Sequence, residues 1–220
     1  MLIKNNNETA ISIPGALKLV GIICGCWAIL TVLSATLAYL SKHPDFSIFT
    51  TYLSDIGDTS VWPQVLLNTG VIIAAPLRFL VLALIVLRLT QMGAGRAFAS
   101  SVLIIGLISA IGTVLMTAVP FSKAPAVHKL GILLYFFGVV IFQLIIFFKE
   151  WVLKPVPKIL PILSLLLVIV YFIFVSMMVL LEKGIVSRSA PVIWEWLAFF
   201  TSVIWVFAQS ILLGKIPDKN

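Results

Sequence analysis

Six long apolar runs, separated by short polar breaks, make up most of this chain. They cover about 17–40, 64–89, 98–119, 127–148, 158–181 and 191–213, each close to the roughly 20 residues a helix needs to cross the hydrocarbon of a bilayer. The breaks carry the punctuation expected of helix ends. Residues 1–15 are polar, with an Asn5-Asn6-Asn7 run and a Pro14-Gly15 break. The longest connection, 41–63, holds His43, Asp45, Asp55 and Asp58 against Lys42. A short turn at 91–97 and a loop at 120–126 with two prolines follow, and Lys149-Glu150-Trp151 with Pro155 and Pro157 closes the fourth run. The pattern predicts an all-α polytopic membrane protein with six transmembrane helices in one domain over residues 1–220.

Composition strengthens this reading. Hydrophobic residues are 61% of the chain, charged residues 10%, and the mean hydropathy is +1.18. A soluble domain is about 45–50% apolar. The first run competes with a cleaved signal peptide, since Ser34-Ala35-Thr36-Leu37-Ala38 is rich in small residues, but it exceeds the about 7–15 residues of a signal core.

The net charge of +7 does not indicate nucleic acid, because the basic residues stand one to three at a time at the edges of apolar runs. They report topology instead. With the N-terminus inside, the cytoplasmic set is Lys4, Lys18, Arg88, Arg96, Lys149, Lys154, Lys158, Lys215 and Lys219, nine in all, against Lys42, Lys123, Lys129, Lys183 and Arg188 opposite, five in all. The excess of positive charge inside favours cytoplasmic termini in a multi-pass protein of the cell membrane. Trp62, Trp194 and Trp196 then fall at the outer interface and Trp151 at the inner one. The Asn7-Glu8-Thr9 sequon is cytoplasmic in this orientation and unused. The halves do not mirror each other as in an inverted-repeat transporter.

This orientation gathers Ser54, Asp55, Asp58, Asn68, His128 and Glu195 on the outer side. Arg78, by contrast, lies about 12–14 positions into the second span, near mid-membrane, where a charge costs about 2.5–3.5 kcal/mol and needs a partner or a wet cavity. Pro76 cannot bond the carbonyl of Ile72 and is expected to kink the helix beside it. The expected partner of Arg78 is Glu195, then Asp55, then a bound anion; a purely structural Arg bonded to freed carbonyls is the alternative. Glu195, in the first turn of the sixth span, is also explained by the positive end of its own helix. Asp55 and Asp58 also fit turn or cap positions around Gly57. Gln143 and Gln209 are expected to bond between helices.

Zinc is not expected. The chain has two histidines, His43 and His128, without a His-x-x-x-His or His-Glu-x-x-His pattern, and Cys24 and Cys26 point in different directions on a helix. No cofactor is implied.

The motifs Leu53-Ser54-Asp55-Ile56-Gly57, Asn68-Thr69-Gly70, Pro120-Phe121 leading to His128, and Glu195 together resemble the six-helix prokaryotic membrane proteins of domain-of-unknown-function family nine-nine-eight. More distantly the chain is similar to the damage-regulated autophagy modulator proteins and to the remodelling factor for glycosylphosphatidylinositol lipids. The resemblance implies six helices, a polar outward site at Ser54, Asp55, Gly57, Asn68, His128 and Glu195, and a link to lipid handling, without a reaction.

Three functions follow. The first is binding of a membrane lipid or small amphiphile, with Arg78 reading an anionic head group through its planar fork. The second is a membrane hydrolase or acyltransferase with His128 as base, oriented by Asp55 or Glu195. The third is a small transporter. The ligand-binding set is Ser54, Asp55, Asn68, Arg78, His128 and Glu195; no nucleic acid partner is expected, and the oligomeric state is open.

Overall fold

A computed structural model describes residues 12–59, 61–119 and 121–217. The sequon at Asn7 lies outside the described residues. Among the described residues six helices are long and apolar enough to cross a membrane: α1 (Ile13–Leu40), α3 (Trp62–Gln91), α4 (Arg96–Ala118), α5 (Pro125–Val152), α6 (Ile159–Glu182) and α7 (Ser189–Leu213). A seventh, α2 (Leu53–Asp58), is a short helix in the longest connection, where the sequence indicated only a loop. The protein is an all-α, multi-pass membrane protein.

Local chemistry sets the ends. Ser12 caps α1 by accepting the Gly15 N–H at 3.2 Å, and Pro14 falls in the first turn, where its missing N–H costs nothing. The Pro14-Gly15 pair therefore starts the helix instead of breaking the chain before it. The ends of α3 and α6 turn on Gly93 (φ +107°) and Gly184 (φ +70°). At each, the glycine N–H and the next N–H return to carbonyls of the last turn: Thr90 and Leu89 at α3, Leu181 and Leu180 at α6. The fourth span runs about one turn past its expected end. Residues 149–151 belong to α5, which stops at Val152, ahead of Pro155, so Glu150 is buried inside the bundle.

Each spanning helix packs against its neighbours in the chain, and α1 closes against α7. The result is a closed ring of antiparallel helices, and six crossings put the start of α1 and the end of α7 on the same side of the membrane. That side is called proximal below, and the side bearing α2 distal.

Between lipid-embedded helices association depends on close packing, and small residues permit it. Between α4 and α5 the approach is backbone to backbone. A Cβ on Gly112 would stand 2.5 Å from the Tyr135 nitrogen, and one on Gly131 2.4 Å from the Met116 nitrogen. Between α1 and α7 it is backbone to side chain, as at Gly25, whose Cβ would meet the Phe207 ring at 2.5 Å. The Trp27 indole ties α1 to α3 through the Gly70 carbonyl at 2.9 Å.

Arg88, expected to stand at the cytoplasmic edge, is 2% exposed. Its guanidinium reaches the carbonyls of Leu213, Ile216 and Pro217 and the Gln91 amide oxygen. These carbonyls lie at and beyond the C-terminus of α7, where the helix leaves its own acceptors free. An arginine of α3 thus finishes the last helix.

The glycine contacts predict an ordered set of stabilities. Gly112→Ala and Gly131→Ala push against backbone that cannot yield and should each cost about 1–3 kcal/mol. Gly25→Ala meets only a ring that can turn and should cost less. Thermal unfolding of the detergent-solubilised variants measures the order, and equal losses at all three positions would contradict it.

Candidate functional site

Two groups of polar side chains bear on the expected site, one at the distal end around α2 and one inside the ring around Arg78.

The distal group holds α2 against the ring. Ile56 is fully buried and Tyr52 nearly so, in an apolar cluster with Val32, Leu67, Val192 and Trp196. The polar residues lock this helix from several sides. Asp55 accepts the Tyr52 N–H at 2.9 Å and binds the Arg188 guanidinium through both carboxylate oxygens at 2.6 and 2.7 Å. Arg188 also donates to the Thr50 carbonyl and lies over the Tyr52 ring, 4.8 Å from its centre. Glu195 of α7 accepts the Leu53 N–H at 2.6 Å and sits beside Ser54. Asn68 of α3 donates to the Gly57 carbonyl at 2.9 Å, the Trp196 indole to the Thr51 carbonyl at 2.9 Å, and Ser122 to Asp58 at 2.7 Å. The Tyr52 hydroxyl donates to the Arg188 carbonyl at 2.9 Å. Burial pushes this phenol up to about 12, and the bond to Asp55 raises Arg188 above its ordinary value.

Arg78 stands apart, near the middle of α3. Its partner is the Tyr135 hydroxyl of α5 at 3.2 Å, with the guanidinium 5.1 Å from the centre of the same ring. The Tyr135 and Tyr171 hydroxyls are 2.6 Å apart, those of Tyr171 and Ser202 3.0 Å, and Ser202 donates to the Ala198 carbonyl at 2.7 Å. Each hydroxyl has one proton. Since Ser202 gives its proton to a carbonyl, Tyr171 donates to Ser202, Tyr135 donates to Tyr171, and Tyr135 accepts from Arg78. The chain therefore has one direction across α3, α5, α6 and α7, and every hydroxyl proton in it is used. Only the guanidinium retains donors for anything else.

Those donors face a cavity of about 50 Å³ inside the ring, whose polar lining is Arg78, Ser109, Thr113, Gln143, Tyr171 and Ser202. Ser109 and Thr113 give their protons to the carbonyls of Tyr135 and Ser109. Gln143 Oε1 is buried without a partner. The space is polar on the Arg78 side and is large enough to admit water or the oxygens of an anionic group.

Four of the six residues expected at the site, Ser54, Asp55, Asn68 and Glu195, meet at α2. Arg78 and His128 do not join them. The expected pairing of Arg78 with Glu195 or Asp55 is wrong, because Glu195 is committed to the start of α2 and Asp55 to Arg188, while Arg78 uses a phenol. His128 Nδ1 bonds the Val119 carbonyl at 2.9 Å and its ring meets Phe121, so the expected alignment with Asp55 or Glu195 is not formed. Trp196 is 3% exposed and holds the α2 connection, where interfacial anchoring was expected. Gln143 Oε1 and both polar atoms of Gln209 lack the interhelical bonds expected of them. Among the described residues no three His, Cys, Asp or Glu side chains come together in a group able to hold a metal. Sequence reasoning missed Tyr135, Tyr171 and Ser202; the available signal was the seven-residue spacing that puts Ser164 and Tyr171, and likewise Ser202 and Gln209, on one helix face.

The two groups predict opposite couplings. Arg78→Leu and Glu195→Gln share no contact, so their losses of thermal stability should add. Asp55→Asn and Arg188→Gln share one ion pair, partly exposed, and a double-mutant cycle should return a coupling of about 0.2–1 kcal/mol. Coupling between Arg78 and Glu195, or none between Asp55 and Arg188, would contradict the assignment.

No curated protein and no solved structure matches this chain at significance. One family does. The family described as Frag1/DRAM/Sfk1/Cwh43P N-terminal domain matches residues 16–215, which take in α1 from its fourth residue, α2 to α7 and both polar groups. The match falls on the more distant of the two resemblances that the motifs carry, and the chain belongs to the Frag1/DRAM/Sfk1/Cwh43P N-terminal domain family of membrane proteins.

Proposed function

We propose that this protein binds a membrane lipid or small amphiphile with an anionic head group, and that Arg78 reads the charge. One observation carries the reading: a guanidinium inside the membrane-spanning bundle, with several free donors aimed into a cavity, has a phenol and no carboxylate as its partner among the described residues. A guanidinium presents five N–H donors, matches phosphate and carboxylate oxygens in pairs, and is costly to bury uncompensated. An anionic oxygen entering the cavity supplies the missing charge. The narrower kinship with the prokaryotic six-helix family belongs to this proposal and rests on the motifs around Ser54, Asn68, His128 and Glu195. His128, turned to a backbone carbonyl, gives a hydrolase reading no geometric support.

Anionic phosphatidylglycerol added to detergent-purified protein should raise its Tm more than zwitterionic phosphatidylcholine does, and Arg78→Gln should remove the difference. Equal responses to the two lipids in the unaltered protein would refute the reading.

The orientation is part of the same proposal: both termini in the cytoplasm of a cell-membrane protein, α2 outside, supported by the nine-to-five distribution of basic residues. Cysteines introduced at Asp58 and Ser187 should label from outside the cell, and one at Gly93 only from inside. The reverse pattern would invert the topology.

A further inference from the structure

Donors and acceptors around the Arg78 cavity do not balance, and the imbalance determines what an occupant must carry. Besides Arg78, the side chains in the wall that can hydrogen-bond are Ser109 and Thr113 of α4, Gln143 of α5, Tyr171 of α6, and Ser202 and Trp205 of α7. Five of these have a single proton, and each gives it to the protein. Ser109 donates to the Tyr135 carbonyl at 3.1 Å, Thr113 to the Ser109 carbonyl at 3.1 Å, and the Trp205 indole to the Ser164 hydroxyl at 2.8 Å. Tyr171 and Ser202 are committed to the one-way chain that ends on the Ala198 carbonyl.

What remains is acceptor capacity. A hydroxyl oxygen has two acceptor lone pairs. Those of Ser109 and Thr113, residues 3% and 1% exposed, accept no hydrogen bond from the described residues. Ser202 accepts only from Tyr171, and Gln143 Oε1 has no partner. Buried acceptors without a donor lose their hydration and gain nothing in return. An anionic oxygen answers the guanidinium but is itself one more acceptor, so it does nothing for these oxygens. Answering both takes a ligand that carries an anionic oxygen and a proton donor close together. An ammonium is the weaker donor here, because it brings a second positive charge to a wall that, among the described residues, holds an arginine and no carboxylate. A hydroxyl adds the proton without the charge.

With Arg78 as the reader of the charge, on which this rests, we infer that the head group supplies its own hydroxyl: the ligand is a phospholipid whose phosphodiester bears a glycerol or similar polyol, its phosphate oxygens on Arg78 and its alcohol donating to the free acceptors of α4 and α5. Ser109 and Thr113 stand four residues apart, so they share one face of α4. A site built to bond a hydroxyl discriminates against the analogue that lacks it, since its own polar groups are then left unpaired.

The test titrates three lipids with the same acyl chains into detergent-purified protein and follows Tm. Phosphatidylglycerol has the phosphate charge and free hydroxyls, phosphatidylmethanol the same charge and no donor, and phosphatidylcholine neither a net charge nor a donor. Phosphatidylglycerol should reach half its full shift at about tenfold lower mole fraction than phosphatidylmethanol, the worth of one hydrogen bond. Phosphatidylmethanol should in turn exceed phosphatidylcholine. Thr113→Val, close to isosteric, and Gln143→Leu each remove a cavity acceptor and should narrow the gap between the two anionic lipids, with both still above phosphatidylcholine because Arg78 is intact. Should Gln143→Leu fail to fold, Thr113→Val carries the comparison. Equal responses to phosphatidylglycerol and phosphatidylmethanol, both above phosphatidylcholine, would overturn the hydroxyl and leave the charge reading standing, with water supplying the protons. A gap undiminished in the folded variants would overturn it as well, by moving hydroxyl recognition away from this wall. Equal responses to all three lipids would remove the charge reading and this inference with it.

Discussion

Hydrocarbon offers no hydrogen bonds, so whatever polar group this chain carries into the membrane must be answered from within the chain or by something it binds. That constraint organises the protein. The backbone is answered by helices, and helix ends by the Gly93 and Gly184 turns and by Arg88. The charges inside the ring meet three different solutions. Arg88 is surrounded by carbonyls, Arg78 heads a one-way chain of hydroxyls, and Glu150 has the Ser164 hydroxyl. The first solution is well supplied with acceptors. The other two leave donors or acceptors over, and the remainder at Arg78 carries the functional argument.

The distal polar cluster has a different meaning from the one its composition suggests. Acidic and amide side chains on one side of a membrane protein invite the picture of an open binding site. Here they are spent on pinning a six-residue helix whose own hydrogen bonds are too few to hold it. Leu53, Tyr52, Gly57 and Thr51 are each bonded to another part of the chain, Tyr52 through its hydroxyl to the Arg188 carbonyl, while Ile56 is fully buried beneath them. Chemistry in this fold is thereby moved from the surface cluster to the interior.

Much of this was legible in the sequence. The six spans follow from run length, and the convergence of Ser54, Asp55, Asn68 and Glu195 follows from placing those runs across a bilayer. Arg78 stands out because a charge at that depth is rare. The rest was hidden for physical reasons. The partner of Arg78 is a tyrosine, which reads as one more apolar residue within a span until its hydroxyl is placed. Asp55 and Arg188 are distant in the chain, and only the folded ring joins them. Glu150 looked like the edge of a loop because α5 exceeds its apolar run by a turn, and that extra turn is held by Ser164 from another helix.

Ring closure has one more consequence. Gly21 and Gly25 of α1 lie against Ser210 and Phe207 of α7, and Lys18 against Gly214, so the first spanning helix and the last are as intimate as any consecutive pair. No helix of the bundle is an edge. The order in which the six are strung is then separable from the shape they make: a chain opened in one of its other connections and spliced between the end of α7 and the start of α1 describes the same ring. Such a circular permutant would keep every interhelical contact while changing which helix enters the membrane first, which separates the requirements of insertion from those of packing.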